Sequence, residues 1–318
     1  MILDFVAVTD HIENFSIEKE ILGDFFEDKL SNKTTIILVW HKVIDRNFLI
    51  KYPSIRAVVR YGVGFDNIDL DYCNKNNILV ANTPDYGIDE VSDSAIAMIL
   101  YLTRKIGALE SLAKEDNDYW LGKEFSLDMR RINQLSLGII GLGRIGSSIV
   151  KKFLPFSKNI GFYDPFIPSG YEKVYDIKRY KTLRELLGSS DIVSINTYLS
   201  NETKNMVNED FLNKMKKGSY LINLARGPII EDSKIIFENL LSNKLFGYAT
   251  DVWTEEPPKE NDNLYKAWKS NDARLKGRII INPHTAYYSE ESLLESRSKA
   301  CLTCLDIINN KTINNIII

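Results

Sequence analysis

Three ionisable residues in the C-terminal third of the sequence have the side-chain types that proton-coupled redox chemistry needs. They are Arg226 in an Ala-Arg-Gly turn, Glu256 in a Glu-Glu-Pro turn, and His284, one of only 3 histidines in 318 residues. Imidazole titrates near neutrality, so it can take or return a proton at working pH. A guanidinium grips a carboxylate with a planar fork, and a carboxylate behind a histidine fixes its tautomer. Together they suggest a hydride-transfer site, although each alone could be an ordinary loop or surface charge.

A glycine motif upstream of these residues would supply the dinucleotide cofactor. Residues 137–146 read Leu-Gly-Ile-Ile-Gly-Leu-Gly-Arg-Ile-Gly, an apolar run that leads directly into the G-x-G-x-x-G spacing. The first glycine permits a tight turn, the second lets the backbone approach a pyrophosphate, and the third lets the following helix pack on the strand. That helix, predicted from Ser147 to about Leu154, directs its N-terminal amides at the phosphates. The predicted cofactor contacts here are Gly141, Gly143, Arg144, Ile145 and Gly146.

Asp164 predicts a preference for NAD over NADP. It ends the next apolar run, 159–163, and a carboxylate at this distance from the glycine motif accepts hydrogen bonds from the adenosine ribose hydroxyls. The same charge would repel a 2′-phosphate, and Pro165-Phe166 follows where an NADP site often has a basic residue. The alternative is a turn aspartate beside a proline.

The composition is that of an ordinary globular protein with little net charge. Its net charge of -3 gives no reason to expect nucleic acid or anionic lipid as a partner, and no apolar run reaches the roughly 18 residues that a membrane helix needs. The first residues are broken by acid too early for a signal peptide, and 3 cysteines cannot form a complete set of disulfides, so a reducing cytoplasm is expected. Cys301 and Cys304 have C-x-x-C spacing, but a buried helix face is a better interpretation than a metal site, and we expect no metal.

Short apolar runs alternate with amphipathic stretches, which is typical of parallel α/β construction. Two series of strands predict two parallel-sheet domains of Rossmann-like or flavodoxin-like type. Residues 1–97 and 291–318 would form a discontinuous substrate domain, and residues 98–290 an inserted NAD-binding domain. An apolar helix from about Glu90 to Lys105 would cross between them, a last helix would run from Glu290 to about Asn309, and the polar stretch 114–133 would form an arm. Strands are predicted at 5–8, 35–39, 57–59, 78–80, 137–140, 161–163, 192–195, 220–223, 246–249 and 278–281.

The sequence resembles the D-isomer-specific 2-hydroxyacid dehydrogenases almost from end to end. The matching segments are Arg-Tyr-Gly-Val-Gly-Phe-Asp-Asn-Ile-Asp at 60–69, Asn-Thr-Pro at 82–84, the glycine motif, Asn-Leu-Ala-Arg-Gly at 223–227, Thr-Asp-Val at 250–252, Glu-Pro at 256–257 and Pro-His at 283–284. Within the family it looks most like the C-terminal binding protein branch and its bacterial relatives. Features of that branch include Glu-Val-Ser-Asp at 90–93 and Ala-Tyr-Tyr-Ser-Glu-Glu-Ser at 286–292.

The resemblance implies a role for each residue of the site. Arg226 would bind the carboxylate of a 2-oxo acid, His284 would donate the proton to its carbonyl oxygen, and Glu256 would hold His284. The amides of Val63 and Gly64 would cradle the substrate carboxylate. Asp251 would accept from the nicotinamide carboxamide, and further cofactor contacts would come from Val91, Thr203, Ala225 and His284. Arg60, His41 in a Trp-His pair and Tyr287 would line the substrate pocket. The family also implies a homodimer built on the NAD-binding domains.

Departures from the family pattern and rival functions bear on the details. Asn196-Thr197-Tyr198 stands where relatives carry His, then an aliphatic residue or Cys, then Pro; Ser94 and Tyr287 replace a histidine and a tryptophan. One rival is a formate- or phosphite-type dehydrogenase, against which Glu256 argues because formate-type relatives usually have Gln there. The other is an NAD-sensing binding protein or corepressor, against which the complete Arg-Glu-His set argues. The prediction is therefore an NAD-dependent D-2-hydroxyacid dehydrogenase.

Overall fold

The computed structural model describes residues 4–123 and 128–318, so part of the predicted arm at 114–133 lies outside the described residues. The chain forms two compact units: unit 1 comprises Met1–Gly87 and Tyr288–Ile318, and unit 2 comprises Ile88–Tyr287. Unit 1 is thus discontinuous in sequence. The sequence prediction placed the domain boundaries at 97/98 and 290/291. In the structure the two units divide at 87/88 and 287/288.

Unit 1 is a parallel sheet with helices around it. Its strands are β1 (Val6–Val8), β2 (Phe26–Glu27), β3 (Ile36–Val39), β4 (Ala57–Arg60) and β5 (Leu79–Ala81), in the order β2-β1-β3-β4-β5. Its helices are α1 (Ser16–Leu22), α2 (Arg46–Lys51), α3 (Leu70–Lys75) and α12 (Glu290–Ile308). The central strand β3 reads Ile-Ile-Leu-Val and is buried throughout, because helices covering both faces of a parallel sheet demand apolar side chains on both.

Helix α12 packs its buried face onto the core of unit 1. Cys301 and Cys304 are both fully buried there as free thiols, which confirms the prediction of a buried helix face. Burial also raises the pKa of Cys301 to about 12, so this thiol stays protonated. Beyond α12 the C-terminal residues return to the sheet: Ile316 forms an antiparallel bridge with Ala81 at the end of β5.

Unit 2 is a larger parallel sheet. Its strands are β6 (Leu137–Ile140), β7 (Ile160–Tyr163), β8 (Lys178–Arg179), β9 (Ile192–Ile195), β10 (Ser219–Asn223), β11 (Leu245–Thr250) and β12 (Ile279–Ile281). Its helices are α4 (Ile88–Thr103), α5 (Ile106–Glu115), α6 (Arg144–Phe153), α7 (Tyr171–Tyr175), α8 (Leu183–Ser189), α9 (Glu209–Lys214), α10 (Ser233–Leu241) and α11 (Asn263–Lys269). Two apolar cores lie on the two faces of this sheet, as expected of strands buried on both sides.

The strand order of unit 2 determines where a ligand can enter. The order is β12-β11-β10-β9-β6-β7-β8, so the chain starts at β6, runs outward to β8 and then resumes on the other side of β6 at β9. The crevice between the carboxyl ends of β6 and β9 is therefore a topological switch point, the place where open α/β sheets bind ligands.

All ten predicted strands are present with ends shifted by at most one residue, and the parallel α/β class is confirmed. The prediction missed β2 and β8, two-residue edge strands with no apolar run of their own. In the described part of the chain, every helix is too short or too polar to cross a lipid bilayer.

Candidate active site

The three candidate catalytic residues follow three neighbouring strands of unit 2. Arg226 comes after β10, Glu256 after β11 and His284 after β12, and these strands are adjacent in the sheet. Because the strands are parallel, their carboxyl ends share one edge of the sheet. Loops of different sequence position are thereby brought to one place, as is common for sites on α/β folds.

His284 and Glu256 form a direct pair. The imidazole Nδ1 lies 2.9 Å from the Glu256 Oε2, and both side chains are 41% exposed. An ionised carboxylate accepts but does not donate, so the imidazole carries its proton on Nδ1 when neutral. That leaves Nε2 as the atom that can exchange a proton with a bound molecule.

The second oxygen of Glu256 accepts a hydrogen bond from the backbone N–H of Trp253, at 2.8 Å from Oε1. Burial alone would raise the pKa of Glu256, but the bonds from His284 and Trp253 and the charges of His284 and Arg226 outweigh it. The net result is a lowered pKa, which keeps the carboxylate ionised. Glu256 therefore presents a fixed negative charge to the imidazole.

The loop that carries His284 is held by Asp251. Its Oδ1 accepts from the Thr285 N–H and its Oδ2 from the Ala286 N–H, both at 2.8 Å. Burial raises the pKa of Asp251 although these two bonds favour its charged form. His284 itself adopts a left-handed backbone with φ of 55°, a conformation more common for His, Asn and Asp than for other side chains. The two hydrogen bonds to Asp251 fix the backbone directly after His284.

The turn that carries Arg226 packs directly against the loop that carries Glu256. Asn223 fastens the turn from within, because its Nδ2 donates to the Arg226 carbonyl at 3.0 Å and its Oδ1 accepts from the Ala225 N–H at 3.1 Å. A Cβ on Gly227 would lie 2.0 Å from the carbonyl carbon and oxygen of Trp253. Only glycine permits this approach, so the two loops are in backbone contact.

The glycine motif has the geometry that a dinucleotide needs. Gly141 has a positive φ of 87° and lies against the Asn196 carbonyl, and a Cβ on Gly146 would come 2.2 Å from the Gly141 carbonyl oxygen. Gly143 differs, because a Cβ there would meet nothing within 4 Å. The open space lies at the N-terminal end of α6, whose first amides follow at Arg144 and Ile145. The first and third glycines therefore serve the fold, and the second faces a space suited to a pyrophosphate.

Asp164 follows β7 and bonds to the glycine loop itself. Its Oδ2 accepts from the Leu142 N–H at 2.9 Å, and its Oδ1 accepts from the amides of Phe166 and Ile167. It thus acts as a turn aspartate in this structure. A carboxylate oxygen can accept two hydrogen bonds, so Oδ2 keeps a lone pair for a ribose hydroxyl.

The remaining predicted cofactor residues of unit 2 are Thr203, Ala225 and Val91. The hydroxyl of Thr203 donates to the Tyr198 carbonyl at 2.7 Å and closes the loop after β9, and Ala225 is buried in the Arg226 turn. Val91 packs in α4 against one face of the sheet. In the segment that departs from the family, the Thr197 hydroxyl is a buried atom with no hydrogen-bond partner among the described residues.

The predicted substrate residues are divided between the two units. In unit 1, Arg60 ends β4 and Val63 and Gly64 lie in the loop after it. His41 is exposed and stacks on Trp40 with ring centroids 5.8 Å apart. Tyr287 is the last residue of unit 2.

Sequence reasoning missed several residues that hold these side chains in place. Asp10 is one: its carboxylate accepts the backbone N–H groups of Trp40, His41 and Lys42 at 2.6–2.9 Å. Asn223 at the Arg226 turn is another. An acidic residue directly after a strand, such as Asp10 after β1, is a signal that sequence analysis can use. The groups that it bonds to follow β3, and only the strand order shows that β1 and β3 are neighbours.

Among residues 4–123 and 128–318, no group of three or more His, Cys, Asp or Glu side chains is arranged to hold a metal ion.

Comparison with known proteins gives one consistent result. The family model described as "D-isomer specific 2-hydroxyacid dehydrogenase, NAD binding domain" matches residues 96–286. The chain is 32% identical over 302 residues to D-3-phosphoglycerate dehydrogenase of Bacillus subtilis, covering 91% of this chain and 54% of that protein. It therefore spans about half the length of that relative. It is 31% identical over 257 residues to glyoxylate reductase of Thermofilum pendens, covering 81% of this chain and 73% of that protein.

Among solved structures, D-lactate dehydrogenase from Aquifex aeolicus, in complex with NAD and lactic acid, superposes with a TM-score of 0.85. The two are 28% identical, and the superposition covers 98% of each chain.

Proposed function

Because the chain belongs to the D-isomer specific 2-hydroxyacid dehydrogenase family, we propose that it interconverts a 2-oxo acid and a D-2-hydroxy acid with NAD as the redox cofactor. The observation that carries this proposal is the pair formed by His284 Nδ1 and Glu256 Oε2 on the sheet edge that also bears Arg226. An imidazole held this way can exchange a proton at Nε2, which reduction of a carbonyl requires.

Each of the three residues has one task in this proposal. The Arg226 guanidinium binds the substrate carboxylate, for which its planar fork of N–H donors is suited. The imidazolium of His284 donates its Nε2 proton to the carbonyl oxygen, and Glu256 stabilises the charged ring before the transfer. NADH, when bound, supplies the hydride. In the reverse direction, the neutral imidazole accepts the hydroxyl proton.

In this proposal Gly143 and the first amides of α6 would hold the cofactor pyrophosphate, at the switch point between the carboxyl ends of β6 and β9. Support comes from the open space at Gly143 and from the free lone pair of Asp164, which favours NAD over NADP. Proton delivery and carboxylate binding are both assigned to groups of the protein itself. We therefore expect turnover to survive treatment with a chelator.

We assign the amides of Val63 and Gly64 to the substrate carboxylate, and we assign Arg60, His41 and Tyr287 to substrate binding. We also propose a homodimer, which the family resemblance implies, and a cytoplasmic location, in keeping with the three cysteines being free thiols.

The test is NADH oxidation by the purified protein with a panel of 2-oxo acids. The panel runs from glyoxylate and pyruvate through methylthio-oxobutyrate to 2-oxoglutarate and phosphohydroxypyruvate. Turnover with a clear preference identifies the substrate class and shows whether a second anion is favoured. Absence of turnover on every member, with NADH still bound, refutes the enzymatic proposal and points to a dinucleotide-sensing role.

A further inference from the structure

The loop after β4 contains two consecutive peptide groups whose carbonyls are held on one side. The Gly62 carbonyl accepts from the Thr83 N–H at 3.3 Å, and the Val63 carbonyl accepts from the Asn82 side-chain Nδ2 at 2.8 Å. In a trans peptide the C=O and the N–H point in opposite directions. The N–H groups of Val63 and Gly64 therefore face away from residues 82 and 83.

Both amides are available to a ligand. Val63 is 38% exposed, and across residues 4–123 and 128–318 neither the Val63 nor the Gly64 N–H donates to another residue. Two successive backbone N–H groups that face the same way form a concave site for an anion. The carboxylate of a 2-oxo acid is an anion of suitable size for such a pair.

We propose that Asn82 is a positioning residue for substrate binding: its amide fixes the Val63–Gly64 peptide so that the Gly64 N–H donates to the substrate carboxylate. This inference rests on the function proposed above. Thr83 holds the first carbonyl through its backbone N–H, which every replacement except proline keeps. Asn82 holds the second carbonyl through its side chain. The orientation of the Val63–Gly64 peptide, and so of the Gly64 N–H, therefore depends on having asparagine at position 82.

Asn82 is itself held firmly enough to act as a fixed donor. It is 5% exposed, directly follows β5, and its N–H donates to the Asn315 carbonyl at 3.2 Å. The Asn315 side-chain Nδ2 donates to the Asn82 carbonyl, and it also lies 3.4 Å from the Thr303 hydroxyl. The C-terminal segment that bridges to β5 thus fixes both backbone polar groups of Asn82.

Among the kinetic constants, removal of the Asn82 amide should change KM and leave kcat nearly unchanged. Without the Nδ2 donor the Val63–Gly64 peptide can rotate, and a rotated peptide turns its carbonyl oxygen toward the substrate carboxylate. A hydrogen bond to a charged group contributes enough that its loss weakens binding roughly 10- to 100-fold. The carboxylate is bound equally in the ground state and the transition state, so KM rises while kcat changes little.

The experiment compares Asn82→Leu and Asn82→Ala with Asn239→Ala. Asn239 is a matched control, because it is 7% exposed and its Nδ2 donates to a backbone carbonyl, that of Ile235, at 2.8 Å. Each protein is first tested for folding by urea unfolding and for NADH binding by fluorescence. The binding of oxamate to the NADH complex is then measured, together with KM and kcat for the best 2-oxo acid.

Both Asn82 variants are expected to raise KM and the oxamate Kd about 10-fold or more, with NADH affinity within twofold of wild type. Asn239→Ala should lose stability without any change in KM. A folded Asn82 variant with an unchanged KM, or an equal rise in KM for Asn239→Ala, overturns the inference.

If neither Asn82 variant folds, Asn82→Ser and Asn315→Ala carry the test, and a KM within twofold of wild type in both overturns it. Wild-type protein that turns over no 2-oxo acid refutes the proposed function instead, so the two failures are distinguishable.

Discussion

Replacement of Gly227 by alanine tests whether the contact between the Arg226 turn and the Glu256 loop matters for catalysis. A Cβ at this position would lie 2.0 Å from the carbonyl carbon and oxygen of Trp253 and 2.4 Å from the Thr254 nitrogen. All three are backbone atoms, so no side-chain rotation relieves the clash. Gly227 does not have a positive φ, so the added methyl group acts through its volume alone.

The size of the effect follows from the distance. Ordinary van der Waals contact begins at 3.4 Å, so the two loops must separate by roughly 1 Å or more. Overpacking of this kind costs about 1–3 kcal/mol of folding stability. A misplacement of about 1 Å between reacting groups lowers turnover roughly 100-fold. Gly227→Ala should therefore lower kcat/KM about 100-fold, which corresponds to a barrier increase of about 2.7 kcal/mol.

The assay is kcat/KM for NADH oxidation with the preferred 2-oxo acid, together with urea unfolding and the Kd of NADH. Gly188→Ala is the matched control: it lies in α8, where a Cβ would meet only the Lys214 carbonyl oxygen at 3.9 Å. Alanine is also the better helix former, so that variant should be as stable as wild type or more so. A Gly227→Ala protein with kcat/KM within twofold of wild type would refute the claim that the loop contact sets the site.

Three further changes test the site. His284→Asn should keep NADH binding and lower turnover at least 100-fold in stopped-flow assays, because Nε2 is lost; near-normal turnover would show that another group moves the proton. Asp164→Ala should raise the ratio of NADPH to NADH efficiency and weaken NADH binding, since it removes the ribose acceptor and the Leu142 bond; an unchanged ratio would contradict the assignment. Glu256→Gln should lower turnover, and urea unfolding across pH tests its lowered pKa. A carboxyl whose folded pKa lies below its unfolded value stabilises the fold above the unfolded pKa, near 4.5, and loses that contribution as pH falls through the folded pKa. Wild type should therefore lose more stability than Glu256→Gln below about pH 5, and parallel pH curves would exclude the effect.

The sequence was sufficient for the parts of the fold that depend on local pattern. Apolar runs predicted the ten strands, and the glycine spacing predicted the turn between β6 and α6. These features follow from chain geometry within a few residues, so neighbours in sequence carry the information. The edge strands β2 and β8 were not predicted, because two residues are too few to show the alternation of a strand. Their pairing depends on the neighbouring strand.

The contacts that hold the site were beyond sequence reasoning for a different reason. Asp10, Asn82 and Asn223 bond to main-chain groups whose positions follow from strand order and register. Any Asp or Asn after a strand is compatible with such a role, and the sequence alone does not say which carbonyl or N–H it meets. Asp164 is a further example. Its position in the sequence is compatible both with a ribose contact and with a turn aspartate, and only the structure shows its bond to the Leu142 amide.

The left-handed backbone at His284 means that substitutions there will have two separate effects. Every replacement removes the imidazole and should lose catalysis to a similar extent. Expression level and thermal stability should instead follow how easily each side chain adopts this φ, with Gly and Asn tolerated, Ala less so, and β-branched Val least. A saturation library at this codon, screened once for folded yield and once for dehydrogenase signal, would therefore show a graded series in the first screen and a uniform loss in the second.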